Sequence, residues 1–205
     1  MNPTYESQLI SISPKREVVY TDIYNFNITG IAGGGGSTFN AILTNGIVNP
    51  KYVVVIPYLT GTAANTGLAV AANTYQSIFD SAPATTAPLG AITQFQVQVG
   101  GQNMFQQNFQ YDFETFLNET AQMNAINGGL STGVNSGLIG HYEWENAYRY
   151  YVCDISRRLP SEDSVPKSVV VQGINNTSKI MDYVCFIVYE RKVVIDMLTG
   201  ALVDN

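Results

Sequence analysis

The stretch from Ile92 to Glu119 changes its hydrophobic period midway, and that change limits the possible folds more than any other feature. Phe95, Val97 and Val99 alternate with Gln94, Gln96 and Gln98. Successive side chains of a strand point to opposite faces, so the pattern predicts a strand with one apolar and one amide face. Gly100-Gly101 ends it, because glycine accepts backbone angles that other residues resist. The period then turns helical. Phe109, Phe113, Phe116 and Leu117 share one face, with Asp112, Glu114 and Glu119 turned away. Burying the three phenylalanines contributes roughly 1.5–3 kcal/mol each. A strand, a glycine break and one helix, flanked on both sides by strand-like runs, predict a β domain with a helix inserted in one loop.

Seven further runs read as strands: Val18 to Thr29, Thr38 to Leu43, Lys51 to Leu59, His141 to Ser156, Ser168 to Gly173, Lys179 to Glu190 and Val193 to Met197. Between them stand turn signals: Gly33 to Ser37, Asn45-Gly46, Asn175-Asn176, Arg191-Lys192 and Thr199-Gly200. Two long small-residue loops occupy residues 60–91, with a short helix at Tyr75–Phe79, and Asn124 to Gly140. A charged loop runs from Arg157 to Lys167. The expected fold is all-β, an eight-stranded antiparallel jelly-roll sandwich with one short helix in a loop. Residues 1–16 read as an arm or linker with a short apolar docking segment at Leu9, Ile10 and Ile12, and 17–205 as a single domain. The expected core includes Phe95, Val97, Val99, Phe113, Phe116, Val54, Ile56, Val170, Phe186 and Val188.

Little in the chain supports catalysis. His141 is the sole histidine, so a histidine-based metal cage cannot be built from one chain. His141, Asp154 and Ser156 name a triad only on paper, since one extended strand would hold His141 and Ser156 far apart. Glu143 and Glu145 fall on one side of a strand and read as a solvated charge pair rather than a glycosidase pair. The run Gly33 to Ser37 lacks the Gly-Lys-Ser/Thr ending of a phosphate-cradling loop and reads as a flexible turn, matching common engineered linkers. Asp182, Asp196 and Asp204 are too dispersed for a calcium loop. No catalytic, cofactor or metal site is expected.

Charged residues make up 13% of the chain and the net charge is −6, which argues against nucleic-acid binding. No run approaches the length of a membrane span. Met1 to Ser13 lacks the pattern of a signal peptide, giving an expectation of cytosolic synthesis or of a chain whose upstream part is missing. Cys153 and Cys185 sit in apolar runs and read as small free hydrophobes. The sequons at Asn27, Asn118, Asn175 and Asn176 carry little weight without a secretion signal.

The run from Phe95 through Gly100-Gly101 to Phe105, continued by Tyr111-Asp-Phe-Glu-Thr-Phe-Leu-Asn-Glu119, resembles a segment of jelly-roll capsid proteins of DNA viruses. Tyr148 to Arg157 and Val194 to Gly200 add to the likeness. Across residues 17–200 the chain is similar to one jelly roll of the double-jelly-roll major capsid proteins of adintoviruses, virophages and polinton-like viruses, or to a related single-jelly-roll capsid or penton protein. The chain departs from the major capsid proteins in having strands for one jelly roll rather than two. The resemblance implies a structural capsid protein, made in the host cytoplasm and located in the virion. Its partners would be other capsid subunits, in trimers or pentamers. Trp144, Tyr148 and Tyr150 are the candidate interface residues, because tyrosine and tryptophan suit half-wet contacts; the competing reading places them in the core. The alternative function is a jelly-roll carbohydrate- or receptor-binding module.

Overall fold

The computed structural model describes residues 3–60, 92–106, 110–121, 140–146, 149–156 and 165–204. The helix expected at Tyr75–Phe79, the loops at 61–91 and 124–139, and Phe109 and Tyr148 lie outside the described residues.

Nine strands and three helices are described: α1 (Pro3–Ile12), β1 (Lys15–Ile31), β2 (Ser37–Ile47), β3 (Pro50–Leu59), β4 (Ile92–Val99), β5 (Gln102–Asn103), α2 (Phe113–Ala121), α3 (His141–Asn146), β6 (Tyr151–Asp154), β7 (Lys167–Asn175), β8 (Met181–Asp196) and β9 (Leu202–Asp204). One sheet has the order β1-β8-β3-β6, with β9 also on β8, and the other has the order β2-β7-β4-β5. Every pairing is antiparallel. The first strand pairs with the eighth, the second with the seventh, the third with the sixth and the fourth with the fifth. That nesting is one long hairpin rolled into two layers, joined within the layers by β3–β8 and β4–β7. The fold is a jelly roll.

Several expected elements differ. Residues 3–12 form a helix, with Pro3 at its first position, where the missing N–H is harmless. Asn45-Gly46 is no turn but lies within β2, at an irregular register against β7. Arg191-Lys192 is no turn either, and β8 runs unbroken from Met181 to Asp196 because β1 pairs along it to Lys15. The run from His141 to Ser156 is not one strand: it opens as α3 and becomes strand only at Tyr151. Glu143 accepts a hydrogen bond from Gly140 N (2.7 Å) and starts that helix, as a third-position glutamate does.

The expected break at Gly100-Gly101 is a two-residue hairpin joining Val99 to Gln102, with φ of 58° and 83°. Both central residues of such a turn need positive φ. Before it, β4 carries a bulge: Thr93 faces Ile174 and Gln96 faces Gln172, with Gln94 at φ 52°. The extra residue resets the alternation, so Ile92 and Phe95 both reach the core despite opposite parity.

Phe95, Val97, Val99 and Phe116 are buried as expected, and Phe113 is half-buried. Val54, Ile56, Val170, Phe186 and Val188 are only half-buried. Their neighbours Val53, Val55, Val169, Val171, Cys185 and Ile187 fill the core instead. These runs are apolar on both parities, so alternation could not tell the inner face from the outer. Phe39 of one sheet stacks on Tyr183 of the other, with ring centroids 4.7 Å apart. Gly173 lies under that contact. A Cβ there would stand 2.5 Å from Ile92 Cγ2 and 2.9 Å from Phe39 Cζ.

Asn175, at the end of β7, is fully buried. Its Nδ2 donates to the carbonyls of Ile31 (3.2 Å), Ala32 (3.0 Å) and Lys179 (2.9 Å). Its Oδ1 accepts from Thr177 N (3.0 Å) and Thr177 Oγ1 (2.7 Å). This one carboxamide binds two of the crossings between the sheets, β1 to β2 and β7 to β8. The glycine run fits against the same junction: Gly34 N donates to Thr177 O and Gly36 N to Asn175 O, while a Cβ on Gly33 would stand 2.5 Å from Lys179 N. The run is therefore a seated crossover. Replacing Asn175 by Ala strands several buried carbonyls and should cost about 3 kcal/mol, read as a fall in the urea midpoint at unchanged m-value.

Candidate assembly surface

The sheet containing β1, β8, β3 and β6 has two edges, and they are finished differently. β6 is one edge. Its Cys153 and Tyr151 face β3, so the N–H and C=O groups of Val152 and Asp154 point outward. Tyr111 Oη donates to Val152 O (2.7 Å) and accepts from Val152 N (2.9 Å). Glu119 Oε2 accepts from Asp154 N (2.6 Å). Side chains of the α2 segment thus stand in for the next strand. Asp112 holds α2 in place as its N-cap, accepting from Thr115 N (2.8 Å), and these bonds keep its carboxyl below the usual range. Glu119 is buried, contrary to its expected place on the solvent face of the helix, because it completes this edge.

The aromatic cluster behind β6 is core. Trp144 is 2% exposed. Its ring packs against Phe116 and Phe113 (centroids 5.8 Å in each case) and its Nε1 donates to Tyr150 O (2.9 Å). The Arg149 guanidinium lies 4.8 Å from the ring centroid. Tyr150 is half-buried against the same core, and Tyr148 lies outside the described residues. Trp144 therefore answers to the core reading of these aromatics. The helical start at His141 explains the difference, since it turns Trp144 inward on a helix face.

Of the residues considered for chemistry, the structure brings Asp154 to Ser156 and His141 to Glu145. Asp154 Oδ1 accepts from Ser156 N (2.8 Å) and Ser156 Oγ (2.6 Å), a local turn contact. His141 is exposed, 3.2 Å from Glu145, with its ring tilted against Phe113 at 4.9 Å between centroids. Glu143 and Glu145 do not share a face, because residues two apart on a helix diverge. Among the described residues no group of three His, Cys, Asp or Glu side chains is placed to hold a metal ion, and no helix is long and apolar enough to cross a membrane.

No strand pairs with the opposite edge, β1, among the described residues. Beyond Tyr24 toward Lys15, β1 is exposed or half-buried on both parities, and β8 from Val188 onward is likewise nowhere buried. With β9 these segments form a three-stranded ribbon that reaches past the sandwich. It carries Val18 (44% exposed), Val19 (57%), Tyr20, Ile23 (60%), Tyr24 and Leu202 (70%). Asp22 fixes its middle, accepting from Tyr189 Oη (3.0 Å) and lying 3.5 Å from Arg191. The sequence reading missed this surface. Its signal was present: apolar residues on both parities of a strand, flanked by Lys15, Arg16 and Glu17.

No family model matches the chain. No curated protein matches it either. Among solved structures the chain is similar to a chain of the Sputnik virophage (TM-score 0.46, 13% identity, covering 94% of this chain and 39% of that one). It is similar to a chain of the PBCV-1 virus capsid (0.46, 9% identity, 98% and 54%) and to the mavirus major capsid protein (0.44, 11% identity, 97% and 42%). The chain thus spans about two-fifths to one-half of the length of these structures.

Two outcomes follow from the capped edge and the core. Burial holds the Tyr111 phenol well above the usual tyrosine range, so its hydroxyl stays protonated as a donor. Tyr111→Phe should cost about 1–3 kcal/mol by stranding the Val152 N–H and C=O, and should speed amide exchange at Val152. Burial also pushes the Cys185 thiol up to about 12 from 9.0. Because the folded-state value is the higher one, its contribution is whole at neutral pH and is lost as pH rises from about 9 toward 12. Cys153 and Cys185 are buried and form no disulfide with each other. Neither should react with a thiol reagent at pH 8 until the protein is unfolded.

Proposed function

We propose that this chain is a structural viral capsid protein, one jelly roll that works by joining other capsid subunits in an icosahedral shell. The observation that carries the reading is the apolar ribbon of β1, β8 and β9, which leaves aliphatic and tyrosine side chains exposed on a charge-poor chain. Exposed apolar patches of this kind mark protein contacts. The jelly-roll pairing and the sequence likeness of Phe95 to Glu119 support the choice of a shell over other assemblies. Fold alone would not, since jelly rolls host several functions.

The carbohydrate- or receptor-binding alternative has less behind it. Sugar recognition by such a sandwich wants an exposed aromatic platform set among polar groups; Trp144, the only tryptophan, is in the core, and the exposed Tyr20 and Tyr24 stand among the aliphatic Val18, Val19 and Ile23. The function proposed here needs no cofactor, nucleic acid or catalytic residue. In a closed ring the subunits would number three on the major-capsid reading or five on the penton reading.

The test is electron microscopy of the purified chain, alone and mixed with a companion capsid protein from the same source. Closed three-fold or five-fold rings, or shell fragments on mixing, are the expected outcome. A chain that forms neither at high concentration, but binds glycans on an array with micromolar affinity, would reverse the assignment.

A further inference from the structure

We propose that the outward edge of β1 pairs with β1 of a second copy, antiparallel about a two-fold axis at Val19, extending the sheet across the two chains. The inference goes beyond the proposed function and does not rest on it.

The direction of the backbone groups decides which residues offer the bonds. Glu190 N donates to Asn49 O on the β3 side of β8. Its neighbours Tyr189 and Arg191 therefore face β1, where they oppose Asp22 and Tyr20. Even positions of β1 are thus engaged with β8, and odd positions point outward. Ile23 agrees, since its N–H turns to Asp22 Oδ1 (2.8 Å) rather than to a strand. Glu17, Val19 and Thr21 present N–H and C=O groups to an edge that no strand covers among the described residues. Natural edges of this length are usually blunted or covered. The β6 edge of the same sheet is covered, by Tyr111 and Glu119.

The register follows from the face and charge of each side chain. A two-fold axis normal to the sheet keeps the inner faces of both copies on one side, so opposed residues must share parity. Centred on Val19, the pairing sets Val19 against Val19, Glu17 against Thr21, Val18 against the partner's Tyr20, and Arg16 against the partner's Asp22. The last pair occurs twice by symmetry and joins opposite charges on the inner face. Centring on Val18 or Tyr20 instead would set Arg16 opposite Tyr20 or Tyr24 and lose the pair. The bond from Ile23 N to its own neighbour ends the ladder where Lys15 of the second copy would stand. The edge is self-complementary in hydrogen bonding, apolar contact and charge, which is what a two-fold contact requires.

Substitutions at Val19, Thr21 and Arg16 test this without removing a backbone bond of the β1–β8 ladder. Val19→Cys places a thiol opposite its own copy, at about 5.5 Å between Cα atoms, within disulfide reach. The native cysteines are buried and do not compete. Under mild oxidation, Val19→Cys should give a two-chain species on a non-reducing gel, and Thr21→Cys, which would face Glu17, should give little. Val19→Pro removes an outward N–H that β8 does not use, so the fold should persist by circular dichroism while two-chain association is lost in sedimentation. Arg16→Glu should weaken association roughly tenfold, as two attractive pairs become repulsive. Absence of the Val19→Cys cross-link, equal cross-linking by Thr21→Cys, or undiminished association of a folded Val19→Pro protein would each overturn the proposal. Failure to form rings or shells would bear on the proposed function alone.

Discussion

The carboxamide of Asn175 holds two of the places where the chain leaves one sheet for the other. A rolled hairpin needs such crossings, and each one interrupts a ladder and leaves backbone groups to satisfy. Here β1 passes to β2 and β7 passes to β8 side by side. One buried side chain donates to Ile31, Ala32 and Lys179 and accepts from Thr177. Both glycine crossover and turn are thereby fixed to the same point, and the sheets above and below keep their spacing. The stack of Phe39 on Tyr183 over Gly173 depends on that spacing.

With the sheets set, the remaining structural problem is their edges. The β6 edge is closed by a phenol and a carboxylate delivered by the segment that leads into and forms α2. The amphipathic helix that stands out in the sequence is there for this purpose as much as for burying phenylalanine. The β1 edge has no such cover among the described residues, and the ribbon it belongs to extends beyond the sandwich with both faces open. On the proposed pairing, buried polar groups finish one edge of the sheet and a second copy would finish the other.

Much of the architecture was legible from local pattern. Alternation placed Phe95, Val97 and Val99 inward, the glycine pair marked the hairpin, and the change of period marked α2, because each signal is carried within a few residues. Where the pattern was degenerate it failed. Val53 to Ile56 and Val169 to Val171 are apolar on both parities, so only the facing sheet selects the inner residues. The aromatic run after His141 is compatible with strand or helix. Packing of Trp144 against Phe113 and Phe116 resolved it as a helix and took the tryptophan out of the candidate interface.

The sequence by itself determined the class: many short β-favouring runs with turn residues between them, one inserted helix, and too few histidines for a metal cage. The tertiary structure decided what those runs do. Asn175 reads locally as a turn residue, yet it is a buried bond hub, because two of its partners, Ile31 and Ala32, lie far away in the chain. Glu119 reads as a solvent-facing helix residue, yet it closes a sheet edge. Val19 and Ile23 read as ordinary strand residues, yet they lie on an open ribbon. In each case the deciding interaction joins residues distant in sequence, and no local period carries information about such a partner.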